Sequence, residues 1–179
     1  MFLEGFPEYW YGWRKQISAL AEARCRVIVP DQRGYNLSDK PQGVKAYCVN
    51  TLVEDIVGLV NALDYEKVNL VGHDWGGVIG WVLANKHPRR LHRLGILNAP
   101  HSLVMRRFLE RDFEQMRRSL YAFFFQLPWL PERLMSSDHW RGAVRALRGS
   151  GKIHTFTNED IEKYKEAWSQ PGAMISMLN

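Results

Sequence analysis

The sequence predicts an α/β protein: a parallel sheet of about four strands flanked by helices, followed by an all-helical segment. Three observations carry this. Short β-branched runs alternate with amphipathic helical stretches up to about residue 101. A strand, a glycine-rich turn and a helix follow one another without a break in "VNLVGHDWGGVIGWVLA". Beyond residue 102 no strand pattern recurs.

The elements read in order. "MFL" has the character of a strand end, and "EGFPEYWYGW" is turn-rich. "RKQISALAEA" has helical periodicity, and "CRVIVP" is a buried strand closed by Pro30 and the loop "DQRGYNLSDKPQG". "TLVEDIVGLVNAL" is an amphipathic helix whose start offers Thr51 and Glu54 as a capping box. "EKVNLVG" is a strand, "WGGVIGWVLANKH" a helix and "LHRLGILNAP" a further strand. Helices are then predicted around 103–126, 138–148, 158–168 and 172–178, with Thr157 and Asp160 starting the third and Pro171 in the first turn of the last. The domain reading is a partial core over 1–101 and a partial helical cap over 102–179.

Composition narrows the function classes. With 46% apolar, 12% aromatic and 24% charged residues, the chain is that of a globular protein. No apolar run approaches about 18 residues, so no membrane span is expected, and the N-terminus lacks a secretory pattern. Cys25 and Cys48 form neither a metal spacing nor a disulfide framework. Reduced thiols fit a cytoplasmic protein. Residues 89–148 hold 12 arginines and no lysine, against five acids. The charges interleave along helical stretches as on a solvated face, so nucleic acid is not an expected partner.

Gly72-x-Asp74-x-Gly76 copies the spacing of a G-x-S-x-G elbow, with aspartate in place of serine. A carboxylate is already ionised at neutral pH and needs no base to activate it. It is suited to displacement at an sp³ carbon carrying a strained or good leaving group, through a covalent alkyl ester that water later hydrolyses. Epoxide opening and halide displacement fit; peptide cleavage does not.

"EGFPEYWYGWRKQISALA", "RVIVPDQRGYNLSDKP", "LVGHDWGG" and "ILNAPH", with "YAFFFQLPWLPE", "FTNEDIEKY" and "SQPGA" further on, resemble the α/β-hydrolase fold in its epoxide hydrolase branch. The resemblance implies an incomplete α/β-hydrolase sheet followed by a cap. It implies Asp74 as nucleophile, and the backbone N–H groups of Phe6 and Trp75 as an oxyanion hole. Pro7 falls where the family carries a cis-proline. Tyr121 matches the first of two cap tyrosines that hydrogen-bond the epoxide oxygen. Pro7, Trp75 and Phe124 would line the substrate, and the aromatic cap (Tyr121, Phe123, Phe124, Phe125, Trp129) favours an apolar epoxide. No metal or organic cofactor is implied. Asp31 and Arg33 are assigned to loop structure, and Asn36 takes a position where glycine is usual, a residue that tolerates a left-handed turn.

Two departures stand out. Glu4 replaces the histidine of the "HGFP" pattern, which puts the geometry of the oxyanion loop in question. The acid and base that follow the nucleophile in this fold are not found. His73, His87, His92, His139 and His154 have ordinary positions, and His101, after a strand end, is the one nearest the expected pocket. The chain is therefore expected to be a fragment without the His/acid pair for turnover, with unpaired sheet edges open to self-association. Two other readings remain: a haloalkane dehalogenase, and a non-catalytic α/β-hydrolase-like binding protein.

Overall fold

The computed structural model describes residues 1–111, 124–125, 127, 129–152 and 155–179. Its centre is strand β2 (Val68–His73), in which Val68, Leu70 and Gly72 alternate inward. β2 is paired in parallel on both sides, with β1 (Phe2–Leu3) and with β3 (Leu91–Leu97), giving the order β1-β2-β3. The register places Leu3 opposite Gly72, and Gly72 opposite Ile96. All three strands therefore end at the same rim, where Asp74 follows.

The described sheet has three strands, not the four expected. The "CRVIVP" segment runs beside β1 and supplies one rung, Phe2 N–H to the Ile28 carbonyl at 2.8 Å, without forming a strand. β1 is two residues long and Pro30 has no N–H, so few ladder bonds are available there. β3 pairs only with β2 among the described residues, and Leu97 at its end is exposed.

Helix α1 (Arg14–Glu22) follows a short 3-10 turn, while α2 (Val49–Ala62) and α3 (Trp75–Lys86) cover the sheet. α2 turns Val53, Ile56 and Val60 inward at the 3–4-residue spacing of a helix face. They meet Leu3, Val68, Leu70, Ile79 and Leu83 in one cluster. Each such side chain, fully buried, contributes about 1.5–3 kcal/mol. The expected capping box is not formed. α2 begins at Val49, two residues early, so Thr51 lies inside the helix with its N–H on the Cys48 carbonyl, and Glu54 instead meets His87 at 3.1 Å.

The later elements are helical: α4 (Ser102–Arg111), α5 (Leu130–Ser150), α6 (Asn158–Trp168) and α7 (Ala173–Leu178). α5 is interrupted at Ser137–Trp140, which accounts for the later start expected near 138. The α6 capping box does form, with Asp160 N–H on Thr157 Oγ1 at 3.1 Å and Thr157 N–H on Asp160 Oδ2 at 2.9 Å. Pro171 lies ahead of the Gly172 cap of α7 and outside its first turn, because the left-handed Gly172 sets the start. Ala143, Leu147, Ile161, Tyr164, Trp168 and Met174 form a second cluster, which takes in Tyr9 and Tyr35 from the first hundred residues. Among the described residues no helix is long and apolar enough to cross a membrane, and Cys25 and Cys48 are both free and exposed.

Candidate active site

Asp74 occupies the turn between β2 and α3 at φ 51°, ψ −118°. A non-glycine residue pays steric strain there, so the surrounding backbone has to hold it. It does so from three directions. Asp74 N–H donates to the Leu97 carbonyl of β3 at 3.1 Å. Its carbonyl accepts from Gly77 and Val78 in the first turn of α3. Gly76 N–H donates to the Glu4 carbonyl at 2.8 Å, stitching the helix start to the end of β1. The turn is so tight that a Cβ on Gly72 would lie 2.3 Å from the Gly76 carbonyl oxygen. The spacing of the two glycines in the sequence thus has a direct steric cause.

The loop after β1 folds over the carboxylate. Phe6 N–H donates to Asp74 Oδ1 at 3.1 Å, and the Phe6–Pro7 peptide is cis. Gly5 leaves the room for this approach: a Cβ there would sit 2.1 Å from Asp74 Oδ1. Trp75 N–H, the first of α3, has no backbone acceptor among the described residues, and the Trp75 side chain is 49% exposed. The Phe125 ring lies edge-on to Phe6 at 5.4 Å, and Phe124 lies 5.5 Å from Phe125. Tyr121, expected to face Asp74, lies outside the described residues, as do Phe123 and His154.

The loop is held from α6. Trp168 Nε1–H donates to the Pro7 carbonyl at 2.7 Å, and Tyr164 OH donates to Glu8 Oε2 at 2.8 Å. Tyr11 OH and Arg14 both reach Asp160 Oδ1, at 2.9 and 3.0 Å. Burial alone would raise the Asp160 pKa. The hydrogen bonds from Thr157 and Tyr11, with the Arg14 charge, outweigh burial and hold it below the usual carboxylate range.

Beneath the elbow, Glu4 is buried at 1% exposure. Loss of the expected histidine does not open the loop, because Gln32 Nε2 donates to the Glu4 carbonyl at 2.5 Å and meets Glu4 Oε1 at 3.4 Å. Burial pushes the Glu4 carboxyl up to about 8, and the Asp31 charge adds to this against hydrogen bonds from the backbone and Gln32. Tyr35 is buried nearby, its hydroxyl pKa raised by burial and by the charges of Glu4 and Asp74. Gln32 and Tyr35 lie within the loop "DQRGYNLSDKPQG". Nothing in their local pattern distinguishes them from loop residues.

Asp31 and Arg33 find partners within the loop and on neighbouring elements. Asp31 accepts from Trp10 N–H and Asn36 Nδ2, and Asn36 takes the left-handed conformation at φ 40°. Arg33 forms a two-pronged pair with Asp55 of α2, both contacts at 2.6 Å. A hollow of about 920 Å³ lies between this loop and α2 and does not include Asp74. The Arg33 and Asp55 charges on its wall are paired with each other.

Among the described residues no histidine hydrogen-bonds Asp74. His73 Nε2 meets Asn98 Nδ2 at 3.2 Å. His101 lies edge-on to Trp81 at 5.0 Å, its Nδ1 accepting from Leu103 N–H. No cluster of metal-ligating side chains is found among the described residues.

Comparison with known proteins bears on the fold and family. The chain is 46% identical over 179 residues to the AB hydrolase superfamily protein YfhM of Bacillus subtilis, covering all of this chain and 63% of that protein. It is 37% identical over 177 residues to epoxide hydrolase 1 of Caenorhabditis elegans, covering 97% of this chain and 44% of that one. A solved mutant of a Bacillus megaterium epoxide hydrolase, complexed with its diol product, superposes with a TM-score of 0.90 at 36% identity, over 99% of this chain and 62% of that chain. The chain thus spans about half to two thirds of the length of these relatives. The model of the alpha/beta hydrolase fold matches residues 1–171, and it is to the alpha/beta hydrolase fold family that this chain belongs.

Proposed function

We propose that the chain carries the nucleophilic half of an epoxide hydrolase-type active site. The observation that carries the reading is Asp74, held at φ 51° at the strand–helix turn with Phe6 N–H on its Oδ1 at 3.1 Å. The similarity to epoxide hydrolases supports it. An Asp74 carboxylate oxygen attacks an epoxide carbon, the ring C–O bond breaks, and the alkoxide takes a proton from the Tyr121 hydroxyl. Water then adds to the ester carbonyl; one of its protons ends on the departing alkoxide oxygen and the other restores the Tyr121 hydroxyl. The oxyanion receives hydrogen bonds from Phe6 N–H and Trp75 N–H, and collapse releases the diol and restores Asp74. Pro7, Trp75 and Phe124 contribute apolar walls, so the substrate class is a small apolar epoxide. No cofactor enters. Residues 102–179 act as the cap over a core formed by 1–101.

Hydrolysis of the ester needs a general base, worth about 10²–10⁴-fold in rate. Among the described residues no histidine bonds to Asp74, and on this reading the two half-reactions separate in the 179-residue chain. Incubation with styrene oxide is expected to add one epoxide by intact mass, localised to Asp74 and persisting over hours. Asp74→Asn abolishes the adduct. An adduct retained in that variant overturns the assignment of the nucleophile, and steady diol production overturns the absence of a base.

A further inference from the structure

Two buried oxygens beneath the elbow lack a hydrogen-bond partner: Glu4 Oε2 and Gln32 Oε1. They belong to side chains that already touch, through Gln32 Nε2 and Glu4 Oε1 at 3.4 Å. Two acceptors cannot satisfy each other, and a buried orphan is costly. Turning the Gln32 amide over does not help, since it would set an oxygen against the Glu4 carbonyl that Nε2 now serves at 2.5 Å. One proton on Glu4 Oε2 turns that oxygen into a donor, and the Gln32 amide oxygen, on the side chain it already touches, is an acceptor without a partner.

We propose that Glu4 is held as a neutral acid, its Oε2 proton donated to Gln32 Oε1, and that this pair is the positioning device that sets Phe6 N–H against Asp74. The connection is short. The Glu4 carbonyl holds Gly76 N–H at 2.8 Å, and the chain passes through Gly5 directly to Phe6. The charged groups that act on this cluster are Asp31, on Glu4, and Asp74, on the adjacent Tyr35; both are acidic, and among the described residues no cation is paired with Glu4. Ionised, Glu4 would add a buried negative charge within reach of the Asp31 charge and leave Glu4 Oε2 and Gln32 Oε1 without a partner. Neutral, it does for the loop by hydrogen bonding what the expected histidine would do. The effect on Asp74 chemistry rests on the epoxide reading; the state of the proton does not.

The test compares the 179-residue chain with Glu4→Gln, which places an N–H where the acid has its O–H. An unfolded glutamate loses its proton near pH ~4.3, whereas folded Glu4 keeps it to about 8. The native state therefore binds the extra proton between these values, and wild-type stability falls relative to Glu4→Gln as pH rises through that window. The ratio of the two unfolding constants is expected to change about tenfold per pH unit and to level off above about pH 8. A ratio independent of pH across the window overturns the proposal. Should Glu4→Gln fail to fold, infrared spectroscopy of the wild type decides: a protonated carboxylic acid band at neutral pH, lost above about pH 9, is expected, and its absence overturns the proposal.

Positioning is read separately, from hydrogen exchange at the Phe6 amide. Protection in the wild type is expected to fall below that of Glu4→Gln above about pH 8 and to match it near neutrality. Equal protection at both pH values overturns the positioning role. If styrene oxide never alkylates Asp74, the epoxide reading fails alone, because the proton and amide measurements stand without it.

Discussion

The indole N–H of Trp168 donates to the carbonyl of Pro7 at 2.7 Å, joining residues 161 positions apart in a buried bond. Pro7 follows Phe6, whose N–H holds Asp74, so the end of α6 braces the loop that orients the carboxylate. Trp168→Phe keeps the ring and removes the donor, leaving the Pro7 carbonyl buried without that partner. The expected cost is about 1–3 kcal/mol of stability by denaturant unfolding, with slower alkylation of Asp74 by styrene oxide. An unchanged midpoint and an unchanged adduct rate would show that the loop is held without α6.

Gly5 has no room for a side chain beside Asp74. A Cβ there would lie 2.1 Å from Asp74 Oδ1, far inside contact distance. Gly5→Ala is expected to push the loop and the carboxylate apart, lowering the alkylation rate by about a hundredfold through misplacement of the reacting group. Overpacking should cost about 1–3 kcal/mol. Intact-mass kinetics separate the two effects, since a variant that folds but does not react has lost geometry and not stability.

Asp160 gives the contact between α6 and the first turns a predictable acid sensitivity. Its folded pKa lies below the unfolded value, so its stabilisation is present above the unfolded pKa and is lost as pH falls through the folded one. Asp160→Asn is expected to be about 1–3 kcal/mol less stable near neutral pH, with a gap that closes as the wild type is acidified below pH ~4. A gap that stays constant down to acid pH would mean that the Arg14 and Tyr11 contacts do not depend on the charge.

Arg33 tests the structural assignment of the "DQRGYNLSD" loop. Its pair with Asp55 is geometrically good, but the two side chains are 27% and 36% exposed. Solvent screening then limits Arg33→Ala to a loss of roughly 0.5–1 kcal/mol. The rate of Asp74 alkylation is expected to stay at the wild-type value. A strong fall in that rate at intact stability would give Arg33 a part in the chemistry.

The sequence by itself determined whatever depends on neighbours a few residues apart. Inward residues of β2 and α2 follow the strand and helix periods, and the Thr157–Asp160 cap closes over three residues. The elbow was legible for the same reason: Gly72, Asp74 and Gly76 meet within one turn, and glycines are needed where backbone touches backbone. Where a local signal competed with packing, it lost. Thr51 and Glu54 make a plausible cap on paper, yet burying Val53, Ile56 and Val60 against the sheet is served by a helix that starts at Val49. The tertiary structure alone decided which distant groups support the site. Glu4 meets Gln32, Tyr35 comes beside Glu4 and Asp74, and Trp168 meets Pro7 because chain closure brings them there. It also decided that "CRVIVP" stays one rung short of a strand, since a two-residue β1 offers it too little edge. Local patterns record short-range sterics and hydrogen bonds. The partners of a buried polar group are set by what the fold leaves unsatisfied, and no short stretch of sequence contains that information.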